Sequence, residues 1–164
     1  LLILGRIKKC RLNIEDEMKV DFSETEFIRT WEGFSLSSYR CSAGVLTCGW
    51  GCTGPDILAD TVWTEEYAKE RFMKEIDLYC EKLTKCLPPN ITKNRFLACL
   101  SLSYNIGLPA FQASTLLKCL KVNDYGGAAE QFLVWSKISV NGKKIFNKGL
   151  HNRRKAEQLI FLKG

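Results

Sequence analysis

The chain has a single histidine, His151, and no paired CxxC motif. Cys41, Cys48 and Cys52 are separated by gaps of six and three residues, which is not the ligand spacing of a structural zinc site. Long apolar runs are missing too. Leu1-Leu2-Ile3-Leu4 supplies four consecutive apolar residues, far short of the roughly 20 a membrane-spanning helix needs. They are also too few for a complete export signal, although the basic Arg6-Ile7-Lys8-Lys9 that follows would suit the flank of a longer apolar segment. The first residue is leucine rather than methionine, so the chain reads as a fragment or a processed product. No run of five like charges occurs, which argues against a dedicated nucleic-acid tail. Internal repeats, low-complexity tracts and interdomain linkers are likewise missing. One domain of two lobes, over 22–164, is expected behind an N-terminal arm at 1–21.

What is present is ordinary globular material. The 164 residues are 46% hydrophobic and 26% charged, enough for a sizeable core and too apolar for disorder. Lysine and arginine outnumber aspartate and glutamate by 24 to 18, a net +6. That excess favours an anionic partner such as nucleic acid, a membrane surface or an acidic cell-wall polymer, or else it is a passive basic surface. The eight cysteines permit four disulfides. However, Cys80, Cys86, Cys99 and Cys119 fall within or beside helical patterns, where a thiol is a small apolar residue. Mostly reduced thiols are therefore expected.

Ser23-Glu24-Thr25-Glu26 has the form of a capping box, and Phe27, Ile28 and Trp31 follow at helical spacing. The spacing predicts a short helix that ends at Glu32, before Gly33. From Ser37 to Ile57 the chain favours two or three antiparallel strands, with Ser42-Ala43-Gly44 as a turn. Thr64 should open a linking helix with Phe72, Ile76, Tyr79 and Leu83 on one face, ending before Pro88-Pro89. Thr92 should cap a helix that buries Phe96, Leu97, Leu100 and Tyr104. Gly107-Leu108-Pro109 should lead into a helix through Leu120, and Asn123-Asp124 should open another. Asn141-Gly142 is a two-residue hairpin signal. A last helix is expected from about His151, with Ala156, Leu159 and Ile160 facing inward.

Glu32, Cys41 and Thr47 stand out within this frame. Glycosidic-bond hydrolysis needs a carboxylic acid, a second group that handles water and a small polar orienter. Glu32 in the last turn of its helix faces the negative end of the helix dipole, and burial beside Trp31 and Phe34 acts the same way. Both favour a protonated acid. Cys41 occupies the place of an expected second carboxylate and can hold water as a hydrogen-bonding partner or, as a thiolate, activate it. The pattern E-x8-C-x5-T is loose, and Glu32 taken alone reads as no more than a solvated charge.

The wider sequence narrows this choice. EGFSLSSYRCSAGVLTCGWG, SLSYNIGLPAFQASTLL, NDYGGAAEQFLVW and GKKIFNKGLHNRRKAEQLIF, in that order, resemble the phage-type lysozymes, the endolysin muramidases, over residues 22–162. The resemblance implies an α+β, lysozyme-like fold: a small β-hairpin lobe joined by a helix to a larger helical lobe. It implies hydrolysis of the β-1,4 bond between N-acetylmuramic acid and N-acetylglucosamine in peptidoglycan, with Glu32 as general acid and Cys41 and Thr47 positioning water. Asn105, Ser114 and Thr115 resemble substrate-binding positions. Arg153 resembles an arginine that tunes the acid and opposes the helix-end effect; without the resemblance it reads as half of an Arg153–Glu157 surface pair. No cofactor or metal is implied. The expected partner is peptidoglycan, with no nucleic acid and no stable membrane anchor, for a monomer acting at the bacterial cell wall. Cys48 and Cys52 depart from the family pattern, as does Trp50, which reads as a packing residue or cleft wall. A disulfide at Cys41 would silence the enzyme. Lytic transglycosylation, and a peptidoglycan-binding module without turnover, are the alternatives.

Overall fold

The computed structural model describes residues 18–41 and 44–164. Residues 1–17 of the expected arm lie outside the described residues, as do Ser42 and Ala43 of the expected turn. Met18 and Val20 are buried and already belong to the core. Helix α1 (Glu26–Glu32) begins differently from the expected Ser23–Glu26 box. The reciprocal pair sits two residues earlier: Asp21 Oδ1 accepts from Glu24 N–H, and Glu24 Oε2 accepts from Asp21 N–H, both at 2.9 Å. A carboxylate is a stronger acceptor than a hydroxyl, and Ser23 Oγ itself donates to Asp21 at 2.6 Å. That hydroxyl, together with the Glu24 N–H, holds the Asp21 carboxyl below its usual value.

Gly33 (φ +59°) ends α1 and turns the chain into the hairpin lobe. This lobe is an antiparallel sheet of β1 (Ser35–Arg40), β2 (Leu46–Gly49) and β3 (Cys52–Thr53), in that order. Thr47 pairs with Tyr39 on one side and Thr53 on the other, and Cys48 pairs with Cys52. Helix α2 (Glu65–Cys86), capped by Thr64 Oγ1 accepting from Tyr67 N–H at 3.2 Å, connects the lobes. It buries Phe72, Ile76 and Leu83, three of the four residues assigned to that face.

The helical lobe is built around α3 (Lys93–Ile106), which Thr92 caps and which contributes Phe96, Cys99, Leu100 and Leu102 to the core. The single helix expected after Gly107 is two: α4 (Leu108–Gln112) and α5 (Thr115–Lys121). Ser114 breaks them, because its extended backbone (ψ 152°) lets its hydroxyl accept from Leu117 N–H at 3.2 Å and start a new helix. Asp124 caps α6 (Tyr125–Gln131), which runs into a 3-10 turn at Phe132–Trp135. Strands β4 (Lys137–Val140) and β5 (Lys143–Phe146) form the expected hairpin, with Asn141 and Gly142 both at positive φ as a type I′ turn requires.

The last helix, α7 (Lys148–Leu162), starts three residues before His151 because Asn147 Oδ1 accepts from Leu150 N–H at 2.9 Å. Its inner face also differs from expectation. Leu159 is exposed, Ala156 and Ile160 are half-buried, and the buried residues are Arg153, Arg154, Glu157 and Phe161. Helical apolar spacing could not reveal this face, because three of its four members are charged. Arg154 Nη2 donates to Glu157 Oε1 at 2.8 Å, and its Nε lies 2.8 Å from Oε2 as an ion pair without hydrogen-bond geometry. Ser101 Oγ of α3 donates to Glu157 Oε1 at 2.7 Å. Burial brings Arg154 down to about 10 and pushes Glu157 up from its usual value, while each charge opposes the shift of the other.

Removing one member of such a cluster leaves the others buried and unpaired, at a cost of roughly 3–5 kcal/mol. Glu157→Gln should lose that much in urea unfolding; a loss under about 1 kcal/mol would mean the cluster is solvated.

Candidate functional site

Glu32 closes α1 with a largely buried side chain, and Oε1 lies 2.6 Å from Arg153 Nη1. Arg153 is only 4% exposed and is itself held in place. Its Nε donates to Glu157 Oε1 at 3.1 Å and its Nη2 to the Ser101 carbonyl, also at 3.1 Å. The Arg153–Glu157 pair read as a surface contact is therefore an interior one, with Glu157 fully buried. The chain of contacts crosses the molecule, from the end of α1 through α7 to the middle of α3. The contact with Glu32 is an ion pair without hydrogen-bond geometry; the Arg153 guanidinium charge is fixed in place by Glu157 and Ser101, so the carboxyl of Glu32 is held by residues that never touch the cleft.

The other carboxyl oxygen faces the hairpin lobe. A Cβ built on Gly51 would lie 3.2 Å from Glu32 Oε2, and Gly51 has φ +79°. Backbone conformation and close approach both call for glycine there. The turn that carries it is anchored by its aromatic neighbour. Trp50 is buried, stacked on Phe34 with ring centroids 4.3 Å apart, and contacted by Phe22 and Phe72. It is a packing residue.

A cavity of about 520 Å3 opens between the lobes, with Glu32, Gly51 and Thr53 on one side and Tyr104 and Asn105 on the other. Glu75, Tyr79 and Lys82 of α2 form its floor. A larger cavity of about 620 Å3 lies on the outer side of α2 beside Met18, Cys80 and Thr84. It contains none of the candidate residues, and size alone does not make it the site.

Cys41 follows β1, where its N–H donates to the Val45 carbonyl at 3.0 Å and its carbonyl accepts from Gly44 at 2.8 Å. Thr47 is buried in β2, and its hydroxyl donates to the Val45 carbonyl at 3.1 Å. Neither lines the cavity. Burial raises the Tyr39 phenol, and the charges of Cys41 and then Glu32 raise it further. Of Glu32, Cys41 and Thr47, the structure puts only Glu32 in the wall of the cavity, and the strand register sets Thr47 opposite Tyr39. Asn105 lines the cavity, whereas Ser114 and Thr115 do not: Ser114 is buried as a helix cap and Thr115 is exposed one residue further on.

Sequence reasoning passed over the floor of the cleft. Tyr104 Oη lies 3.1 Å from both the Trp50 carbonyl and Glu75 Oε2, and can donate its one proton to either. Arg71 Nη1 holds Glu75 Oε1 at 3.0 Å, and its Nη2 donates to the Thr53 carbonyl at 3.2 Å. This network ties α2 and α3 to the hairpin on both sides of Gly51. The only signal in the sequence was the i, i+4 spacing of Arg71 and Glu75, which usually marks an exposed pair. Cys52 is buried beside Glu75, and burial, followed by the Glu75 charge, pushes its thiol up to about 12. Cys48, Cys52, Cys80, Cys86, Cys99 and Cys119 are free thiols.

Residues 29–157 match the family model described as phage lysozyme. An endolysin of Acyrthosiphon pisum secondary endosymbiont phage 1 is 40% identical over 134 residues, which cover 82% of this chain and 91% of that one. Among solved structures, an endolysin from Escherichia coli O157:H7 phage FAHEc1 superposes with a TM-score of 0.81 at 32% identity, covering 88% of this chain and 93% of that one. The muramidase domain of SpmX from Asticaccaulis excentricus also gives 0.81, at 25% identity over 88% and 97%. The match spans both lobes and the cleft between them, and the chain belongs to the phage lysozyme family of peptidoglycan-degrading enzymes.

Proposed function

We propose that this protein is an N-acetylmuramidase that hydrolyses the β-1,4 bond between N-acetylmuramic acid and N-acetylglucosamine in peptidoglycan. The observation that carries the reading is Glu32: a carboxyl in the wall of the interlobe cavity, fixed by a buried arginine at 2.6 Å. A glycan strand lying in the cleft receives a proton from Glu32 on its leaving glycosidic oxygen as the C1–O bond breaks. Positive charge then develops at C1 and the ring oxygen. Water attacks from the opposite face.

Thr47 and Cys41 are assigned to that water. The Thr47 hydroxyl spends its proton on Val45, so only its lone pairs remain to accept a hydrogen bond from water and turn the oxygen toward C1. Cys41 takes the slot of a second carboxylate and receives the proton of the water, as a thiolate base or through solvent. Attack opposite the departing group inverts the anomeric centre. Asn105 is assigned to sugar contact on the helical side, with exposed Thr115 beyond it and buried Ser114 capping the helix that carries Thr115, and Arg153 to positioning the acid. The net +6 charge suits a wall polymer carrying peptide carboxylates.

The presence of Cys41 where a carboxylate would be expected favours one rival, lytic transglycosylation, which needs the acid but no water activation. A 1,6-anhydro product identifies that reaction, and a reducing-end sugar identifies hydrolysis.

Glu32→Gln should keep the fold by circular dichroism and lower clearing of a peptidoglycan suspension by at least about a hundredfold, the low end for loss of a general acid. Equal clearing by both proteins would remove Glu32 from the mechanism; clearing by neither would make the protein a binding module. Gly51→Ala should cost at least about tenfold in clearing, as sub-ångström displacement of a catalytic group does, with the fold kept. Unchanged activity would show that the turn does not hold Glu32.

A further inference from the structure

The net positive charge of the chain is concentrated in one region. Of 24 lysines and arginines and 18 aspartates and glutamates, residues 131–156 hold seven and none, leaving 17 and 18 for the rest. Arg153 and Arg154 are buried and paired. Lys137, Lys143, Lys144, Lys148 and Lys155 are exposed, and among the described residues no ion pair engages them.

The β4–β5 hairpin stands in the middle of this region with all eight strand residues exposed. Four of them are apolar: Ile138, Val140, Ile145 and Phe146, at 39, 40, 47 and 58% exposure. Ile138 pairs with Ile145, Val140 with Lys143, Lys137 with Phe146 and Ser139 with Lys144. Side chains alternate between the faces of a strand. One face therefore carries Ile138, Ile145, Val140 and Lys143; the other carries Phe146, Lys137 and Lys144. Neither face packs on the core. A surface hairpin normally buries one face and solvates the other, and an apolar cluster left in water marks a contact surface.

The mixture of side chains identifies the occupant. Nucleic acid or another polyanion would engage the lysines and leave the Ile138–Val140–Ile145 face unused. A bilayer with anionic headgroups uses both kinds, taking apolar side chains at the acyl boundary and ammonium groups at the headgroups. We propose that the β4–β5 hairpin binds the surface of an anionic lipid bilayer, with Ile138, Val140 and Ile145 of one face entering the interface and the surrounding lysines held on the headgroups. The contact is interfacial: among the described residues no helix is long and apolar enough to cross a membrane. The inference rests on the hairpin alone and is independent of the reaction assigned to the cleft.

The test is co-sedimentation of the whole chain with phosphatidylcholine vesicles and with equimolar phosphatidylcholine–phosphatidylglycerol vesicles. Binding should be at least about tenfold tighter to the anionic ones. Each lysine near such a surface contributes roughly fivefold, so Lys143→Glu with Lys144→Glu should weaken it by more than about tenfold. Ile138→Ser with Ile145→Ser should abolish the binding that survives at about 1 M salt, where the screening length is about 3 Å. Ile145→Trp provides a readout at the centre of the apolar face: its emission, as the difference from the unsubstituted protein, should shift to the blue with anionic vesicles only. Equal binding to both vesicle types, variants that bind unchanged, or no blue shift would overturn the proposal. Tighter binding to duplex DNA than to anionic vesicles, lost with the lysines and indifferent to the apolar pair, would overturn it in favour of a polyanion site.

Discussion

The buried contact between Arg153 and Glu32 is the interaction on which the site depends. A glutamate at the end of a seven-residue helix has several rotamers and no intrinsic reason to face the cleft in one of them. Arg153 supplies the constraint at 2.6 Å, and it can do so because its own guanidinium is fixed by Glu157 and by the Ser101 carbonyl. Two buried arginines and two carboxylates are an expensive way to build an interior. Apolar residues of similar volume would serve stability as well or better. What the ionic cluster provides is direction: it converts the packing of α3 against α7 into the orientation of a carboxyl on α1.

The hairpin lobe meets that carboxyl from the other side, and its position is also set by contacts outside the chemistry. Tyr104 and Arg71 reach the Trp50 and Thr53 carbonyls, which flank Gly51 in sequence, and both also hold Glu75. The stacked Trp50 fixes the turn from beneath. Glu32 therefore sits between two supports, an ionic one in the helical lobe and a mixed aromatic and hydrogen-bonded one in the hairpin lobe. The cleft is the gap these supports leave open.

Much of this was legible in the sequence, and the exceptions have physical causes. The Asn141-Gly142 turn, the Thr64 and Thr92 caps and the stop at Gly33 are local, each decided by one or two residues, and each stands where it was expected. The capping pair before α1 was misplaced by two residues because Asp21 and Glu24 outcompete Ser23 and Glu26 as acceptors, and α1 itself starts at Glu26 with no side-chain cap. The inner face of α7 was misassigned because apolar periodicity assumes that buried means apolar, and Arg153, Arg154 and Glu157 break that assumption. The Arg71–Glu75–Tyr104 network joins residues 29 or more apart across Glu75 and Tyr104, a separation no window of local pattern spans. Thr47 and Cys41 were singled out by spacing alone; the β1–β2 register sets Thr47 opposite Tyr39, and neither residue lines the cavity.

The claim that Arg153 orients Glu32 through a buried contact is tested most directly by a double-mutant cycle. Urea unfolding of the unsubstituted protein, Glu32→Gln, Arg153→Met and the double variant isolates the coupling between the two side chains from the cost of disturbing the rest of the cluster. A coupling of about 1.5 kcal/mol or more, in the range found for charge pairs removed from water, is the predicted result. A coupling within about 0.3 kcal/mol of zero would contradict it and leave Glu32 held by its helix alone.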